Sequence, residues 1–138
     1  MISMARLFNF RRRKTGIFEA ARSGDLVAIR NYVASGADLN AQDMRGRSPL
    51  FLACKYGHVA VAEELIQRGA NLEVRDQYGR TALYHAINFG SSKIVALLVS
   101  SGVNLDCVDS LGYTPVEYAK SVFKGTMIPI LNGTATEP

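Results

Sequence analysis

The chain has 138 residues, 48% of them hydrophobic and 20% charged, a balance that excludes disordered and fibrous classes and suits one compact domain. Its net charge of +4 points at first to nucleic acid, but five of the 16 basic residues (Arg6, Arg11, Arg12, Arg13 and Lys14) lie in the first 14 positions, where no acidic residue occurs. The remainder carries eleven basic against twelve acidic groups, so the body is near neutral and nucleic acid is not its expected partner.

In chain order, residues 1–14 form a basic arm that mixes Met, Ile, Leu and Phe with the cationic cluster. It reads as a partly disordered segment whose apolar residues cover the open end of the structure that follows. An amphipathic anchor on anionic lipid is the alternative reading, and electrostatic contact with nucleic acid a third. No apolar run of about 7 to 15 residues follows the arginines, so a secretory signal is not expected. Nor does any stretch reach the roughly 18 apolar residues of a membrane span. Cys54 and Cys107 are the only cysteines, which fits a reducing, cytoplasmic setting better than a disulfide scaffold. Asn132-Gly133-Thr134 matches a glycosylation sequon but reads more simply as part of a flexible polar tail over 132–138.

Between residues 15 and 131 the same residue types return every 33 positions. Asp43, Asp76 and Asp109 form one series, and Gly46, Gly79 and Gly112 another. Ser48, Thr81 and Thr114 follow, then Leu50, Leu83 and Val116, then Ala20, Ala53, Ala86 and Ala119. Gly24, Gly57 and Gly90 recur in step with Gly36, Gly69 and Gly102. Each series has a physical reading. Asp-x-x-Gly predicts a tight turn whose carboxylate bonds nearby amides. Ser48, Thr81 and Thr114 stand where a helix needs an N-cap, with Pro49 and Pro115 at the first helical position. Thr114 with Glu117 fits a capping box.

The helix so begun runs only two turns before a glycine. A second helix follows, with apolar positions Leu26, Ile29, Tyr32 and Val33, then Val61, Ala62, Leu65 and Ile66, then Ile94, Val95, Leu97 and Leu98. The alanine series lets neighbouring first helices approach closely. One such pair cannot bury its apolar faces, but a stack can.

The stretch from Asp43 through Ser48-Pro-Leu-Phe51 and Gly57-His58 to Arg68-Gly-Ala-Asn-Leu72 resembles an ankyrin repeat, and Asp76 to Asn104 is similar. Residues 15–42 resemble an N-terminal repeat without its turn, and 109–131 a degenerate last one. The resemblance implies an all-α solenoid of stacked helix-turn-helix units joined by β-turn loops, with repeats at about 15–42, 43–75, 76–108 and 109–131. It also implies use as a protein-binding module, acting as scaffold, adaptor or inhibitor.

Departures from the family pattern carry expectations too. Its Thr-Pro-Leu-His stretch has Phe51, Tyr84 and Glu117 in place of histidine, so the histidine's hydrogen bonds must be replaced or lost. Phe123 takes the place of a glycine, and Pro129 is expected to interrupt the last helix, leaving Met127 to Leu131 as an apolar flap. Lys120, where earlier repeats have Ala21, Cys54 and Ile87, suits an outward-facing end.

No phosphate-cradling loop or nucleophile elbow occurs, so no enzyme, cofactor or metal site is expected. The best metal trio, Cys54, His58 and His85, has no fourth ligand and a glycine between its first two members. His58 reads instead as support for neighbouring backbone. The partner surface implied by the resemblance comprises the turn tips and the exposed side of the first helices. Carried onto this sequence, it is Arg22; Met44, Arg45, Arg47, Lys55 and Tyr56; Gln77, Tyr78, Arg80, Asn88 and Phe89; and Leu111 and Tyr113. Its mixture of arginine with aromatics suits a protein partner whose contact segment is both acidic and apolar. Oligomeric state is left open.

Overall fold

The computed structural model describes residues 16–122 and 124–133. Helical residues 16–23 (α1) and Leu26–Ala34 (α2) form the first pair. Pro49–Lys55 (α3) with Val59–Gln67 (α4), and Ala82–Phe89 (α5) with Ser92–Ser100 (α6), form the next two. Pro115–Ser121 (α7) is followed by a 3-10 turn, Gly125–Met127, and a short helix, Ile128–Leu131 (α8). Among the described residues there is no strand.

Local chemistry sets these boundaries. The Ser48 hydroxyl accepts the Phe51 amide at 3.2 Å, and Asp25 and Ser91 cap α2 and α6 in the same way. Thr114 and Glu117 close the expected capping box, each side chain on the other residue's amide. Thr81 departs from the pattern. It stands at the N-cap of α5 with extended backbone, yet its buried hydroxyl accepts no capping amide and has no partner among the described residues. Its neighbour at the first helical position is Ala82 rather than proline.

The layers follow from the repeat. α3 packs on α5 and α5 on α7, while α2 packs on α4, α4 on α6 and α6 on α8. Ala53, Ala86 and Ala119 are wholly buried where the first helices meet. Leu50, Leu52, Leu65, Leu83, Ile87, Ile94 and Leu98 fill the space between the layers. Each buried aliphatic side chain contributes roughly 1.5–3 kcal/mol relative to exposure, and the stack supplies what one pair cannot.

The last pair corrects one expectation. Pro129 does not interrupt a helix; it occupies the first turn of α8, where its missing amide proton removes no hydrogen bond. Met127, Ile130 and Leu131 are buried, so the apolar segment does close the stack, and it does so as a one-turn helix docked against α6 and α7. Lys120 is exposed at the position where Cys54 and Ile87 are buried, which makes this face the outer end of the stack. Phe123, the arm 1–14 and the tail beyond residue 133 lie outside the described residues.

Ties between repeats reuse equivalent atoms. The Asn71 amide donates to Asn40 Oδ1 and the Asn104 amide to Glu73 Oε1, both at 2.8 Å. His58 Nε2 donates to the Arg22 carbonyl at 2.7 Å, joining α4 to the end of α1. Its ring lies against Gly24, where an added Cβ would come within 2.5 Å of Nδ1.

Gly24 and Gly36 have nearly the same φ, 77° and 79°, but a Cβ at Gly36 would meet nothing. Both alanine variants therefore bear the left-handed penalty of about 1 kcal/mol, and Gly24→Ala also displaces His58 from Arg22, for a total of about 2–3 kcal/mol. Urea midpoints of the two variants measure the difference directly.

Candidate partner-binding surface

Each turn tip is shaped by its aspartate. Asp43 Oδ1 accepts the amides of Arg45 and Arg47, Asp76 Oδ1 those of Tyr78 and Arg80, and Asp109 Oδ1 those of Leu111 and Tyr113, all at 2.9–3.0 Å. The turn glycines Gly46, Gly79 and Gly112 take the positive φ that closes each loop. Neighbouring tips are then pinned to one another. The Gln77 amide donates to the Arg45 carbonyl at 3.2 Å and the Ser110 amide to the Tyr78 carbonyl at 2.9 Å. Three loops thus become one continuous row.

The three aspartates meet three different neighbours at their outer oxygen. Asp43 Oδ2 takes Arg47 Nε of its own turn at 2.8 Å. Asp76 Oδ2 lies 3.5 Å from His85 Nε2. In the last turn Tyr113 replaces the arginine, and Arg80 reaches over from the previous repeat to place Nε 3.1 Å from Asp109 Oδ2, its guanidinium 4.8 Å from the Tyr118 ring centroid. Burial works to raise the Asp109 carboxyl, but the amides of Tyr113 and Leu111 and the Arg80 guanidinium outweigh it and hold it below the ordinary carboxylate range. Asp43 is held low by the same balance, with Arg47 in place of Arg80.

Arg47 and Arg80 are consequently half-buried and committed to the turns, a duty that the sequence reading did not assign to them. Arg22 is exposed at the end of α1 but forked onto both oxygens of Glu19. Arg45 is exposed, and its guanidinium has no partner among the described residues. Lys55 lies 5.7 Å from the Tyr56 ring centroid. Gln77 and Asn88 are exposed on the tip and on α5.

The apolar members are the most prominent. Met44 is fully exposed and Leu111 is 72% exposed, with Tyr56, Tyr78, Phe89 and Tyr113 also open to solvent. Val108 joins them beside the last turn, at a position where the preceding repeats carry Gln42 and Arg75. That switch from polar to β-branched was the legible signal for it.

The three residues of the best metal trio serve packing and backbone contacts. Cys54 is wholly buried, and burial pushes its thiol well above the ordinary range. His58 is committed to the Arg22 carbonyl, and the His85 ring packs on Phe51 with centroids 4.2 Å apart. Among the described residues no three histidine, cysteine, aspartate or glutamate side chains are placed to hold a metal ion. No helix among them is long and apolar enough to cross a membrane. The lipid and nucleic-acid readings of the arm fall on residues 1–14, outside the described residues.

Comparison with known families bears on the same stretch of chain. A family model described as ankyrin repeats in three copies matches residues 17–109, about two thirds of the chain. The chain belongs to the ankyrin-repeat family. No curated protein sequence matches it. Ankyrin repeats are generally protein–protein interaction modules, and the family is typically non-enzymatic.

Within the ankyrin stack the absent Thr-Pro-Leu-His histidines are compensated unevenly. Tyr84 Oη donates to the Tyr113 carbonyl at 2.7 Å, with the Cys107 carbonyl 3.1 Å away. Glu117 serves its own capping box, and Phe51 substitutes ring packing for a hydrogen bond.

Proposed function

We propose that the chain recognises a partner protein through the row of turn tips and the adjoining exposed ends of α3 and α5, acting as a scaffold, adaptor or inhibitor. One observation carries this reading. Of the eight large hydrophobic side chains exposed among the described residues, six (Met44, Tyr56, Tyr78, Phe89, Leu111 and Tyr113) belong to this surface. Isolated apolar residues are ordinary on any surface, but exposed ones that recur at equivalent positions of successive, backbone-pinned repeats favour an interaction site.

The fixed ladder between tips also lowers the entropy lost on binding. The cationic part of the site rests on Arg45 and Lys55, since Arg22, Arg47 and Arg80 are engaged in ion pairs. The partner segment is thus more apolar, and less strongly acidic, than a count of arginines suggests. Free, buried Cys54 and Cys107 fit work in a reducing compartment, and we place the protein in the cytoplasm on that ground.

The test uses two baits in a native lysate, the wild-type chain and a chain carrying Arg45→Glu, Tyr78→Ala and Leu111→Ala. These side chains contribute nothing to the core, so the melting temperatures should agree within a few degrees. A partner captured by the first bait should bind the second at least tenfold more weakly, the scale of losing one interfacial anchor. A partner held equally by both places the binding site elsewhere.

A further inference from the structure

The row is chemically polarised along the axis of the stack. Position by position, the second residue after each turn aspartate changes from Arg45 to Tyr78 to Leu111. On the inner helices, the equivalent change is from Lys55 to Asn88 to Ser121. The end formed by the second repeat therefore offers two cationic groups beside Met44 and Tyr56, the middle offers aromatic faces, and the end formed by the fourth offers Leu111, Tyr113 and Val108 with no cation at its tip, so the gradient is one of charge.

The turn acids do little to offset this gradient: Asp43 and Asp109 are paired with Arg47 and Arg80, and the Asp76 side chain is buried beneath its own tip. Of the charged groups of the last repeat, Lys124 brings Nζ beside Gly90 at the C-terminal end of α5 rather than to the turn tip. Lys120 points out of the end of the stack, at a position that is buried between repeats elsewhere, and Glu117 is engaged by the Thr114 amide.

We infer that the site reads its partner in one orientation, as an extended acidic–apolar segment whose carboxylates lie over Arg45 and Lys55 and whose apolar side chains lie over Leu111 and Tyr113. This rests on the tip row being the binding surface, as proposed above. Neighbouring helices pack about 8–10 Å apart, so two repeats span roughly 20 Å. An extended chain covers that distance in about six residues at roughly 3.3 Å each. The matching segment thus holds its acidic and apolar groups about six residues apart. Reversed placement would leave the carboxylates desolvated against Leu111 without a cation, which works against binding.

A phage-displayed random dodecapeptide library, selected on the wild-type chain and on two single variants, tests the orientation. Wild-type selection should enrich peptides with acidic and apolar residues about six positions apart. Arg45→Glu should abolish the acidic preference and leave the apolar one, whereas Leu111→Lys should do the reverse, each weakening the wild-type peptides at least tenfold. Thermal melts establish that both variants fold.

Peptides that lose binding to the triple tip variant but show no acidic–apolar spacing overturn the orientation alone. Peptides that bind the triple variant unchanged overturn the surface as well. A library that yields no binder overturns the inference, and the lysate comparison then judges the surface independently.

Discussion

Asp109→Ala is expected to destabilise the chain by about 4 kcal/mol in urea denaturation, and Asp109→Asn by about half as much. The Asp109 side chain is 1% exposed and serves three donors: the Leu111 and Tyr113 amides on Oδ1 and Arg80 Nε on Oδ2. Alanine strands all three. Asparagine can keep its carbonyl on the two amides but turns its NH2 donor toward Arg80 Nε, so the difference between the variants reports the local turn and the asparagine variant reports the lost bridge between repeats. Arg80→Ala should resemble Asp109→Asn, and the double-mutant cycle of Arg80 and Asp109 should return a coupling above about 1 kcal/mol. A coupling near zero would mean that the bridge does not hold the last repeat.

Because each repeat contacts only its neighbours, the damage should be local first. Amide exchange should quicken over α7 and α8 in Asp109→Ala while α3 and α4 stay protected. The same logic separates stability from recognition. Charge reversal at Arg80 sets two carboxylates together in a half-buried site and would lower binding by loosening the last repeat. Arg45, exposed and without an ion-pair partner among the described residues, is the arginine whose reversal reports on the surface itself.

The helices were legible because their signals are local and repeat. Asp-x-x-Gly, a capping hydroxyl and the following proline act within one turn of chain, and the 33-residue period copies them into register. The row of tips was legible for the same reason, as positions relative to each aspartate.

What the sequence withheld was the choice of partner across repeats. Arg47 and Arg80 occupy the same place in their turns, yet one pairs within its repeat and the other beyond it. The deciding residues are His85, which lies beside Asp76, and Tyr113, which leaves Asp109 without an arginine of its own. Such competition is settled by side-chain placement among several repeats. Pro129 misled for a related reason: proline breaks a helix only beyond its first turn, and the 3-10 turn that resets the start of α8 has no strong local marker.

His85→Leu is expected to remove most of the stability lost on acidification between pH 6.5 and about 4. His85 occupies the place of Leu52 and Tyr118 in the adjacent repeats, packed on Phe51. Its Nε2 is buried without a hydrogen bond, 3.5 Å from Asp76 Oδ2. Burial pushes the imidazole down to about 4; Asp76 opposes the shift, and Lys55 and Arg80 add to it.

The folded chain thus refuses a proton that the unfolded chain binds below about pH 6.5, so stability falls as pH drops through this window. Across the whole window the loss is on the order of 3 kcal/mol. Leucine fits the position in the neighbouring repeat, removes the orphaned nitrogen and has nothing to titrate. At pH 7 the variant should match or slightly exceed the wild type, and near pH 4.5 it should exceed it by about 2 kcal/mol.

Below pH 4 both chains should weaken together, as Asp43 and Asp109, whose carboxyls are held low by the fold, take up protons and release their amides and arginines. Urea midpoints measured from pH 7 to pH 3 on both chains separate these two phases. A wild-type slope between pH 6.5 and 4 that persists unchanged in His85→Leu would place the acid-sensitive group somewhere other than the Phe51–Asp76 contact.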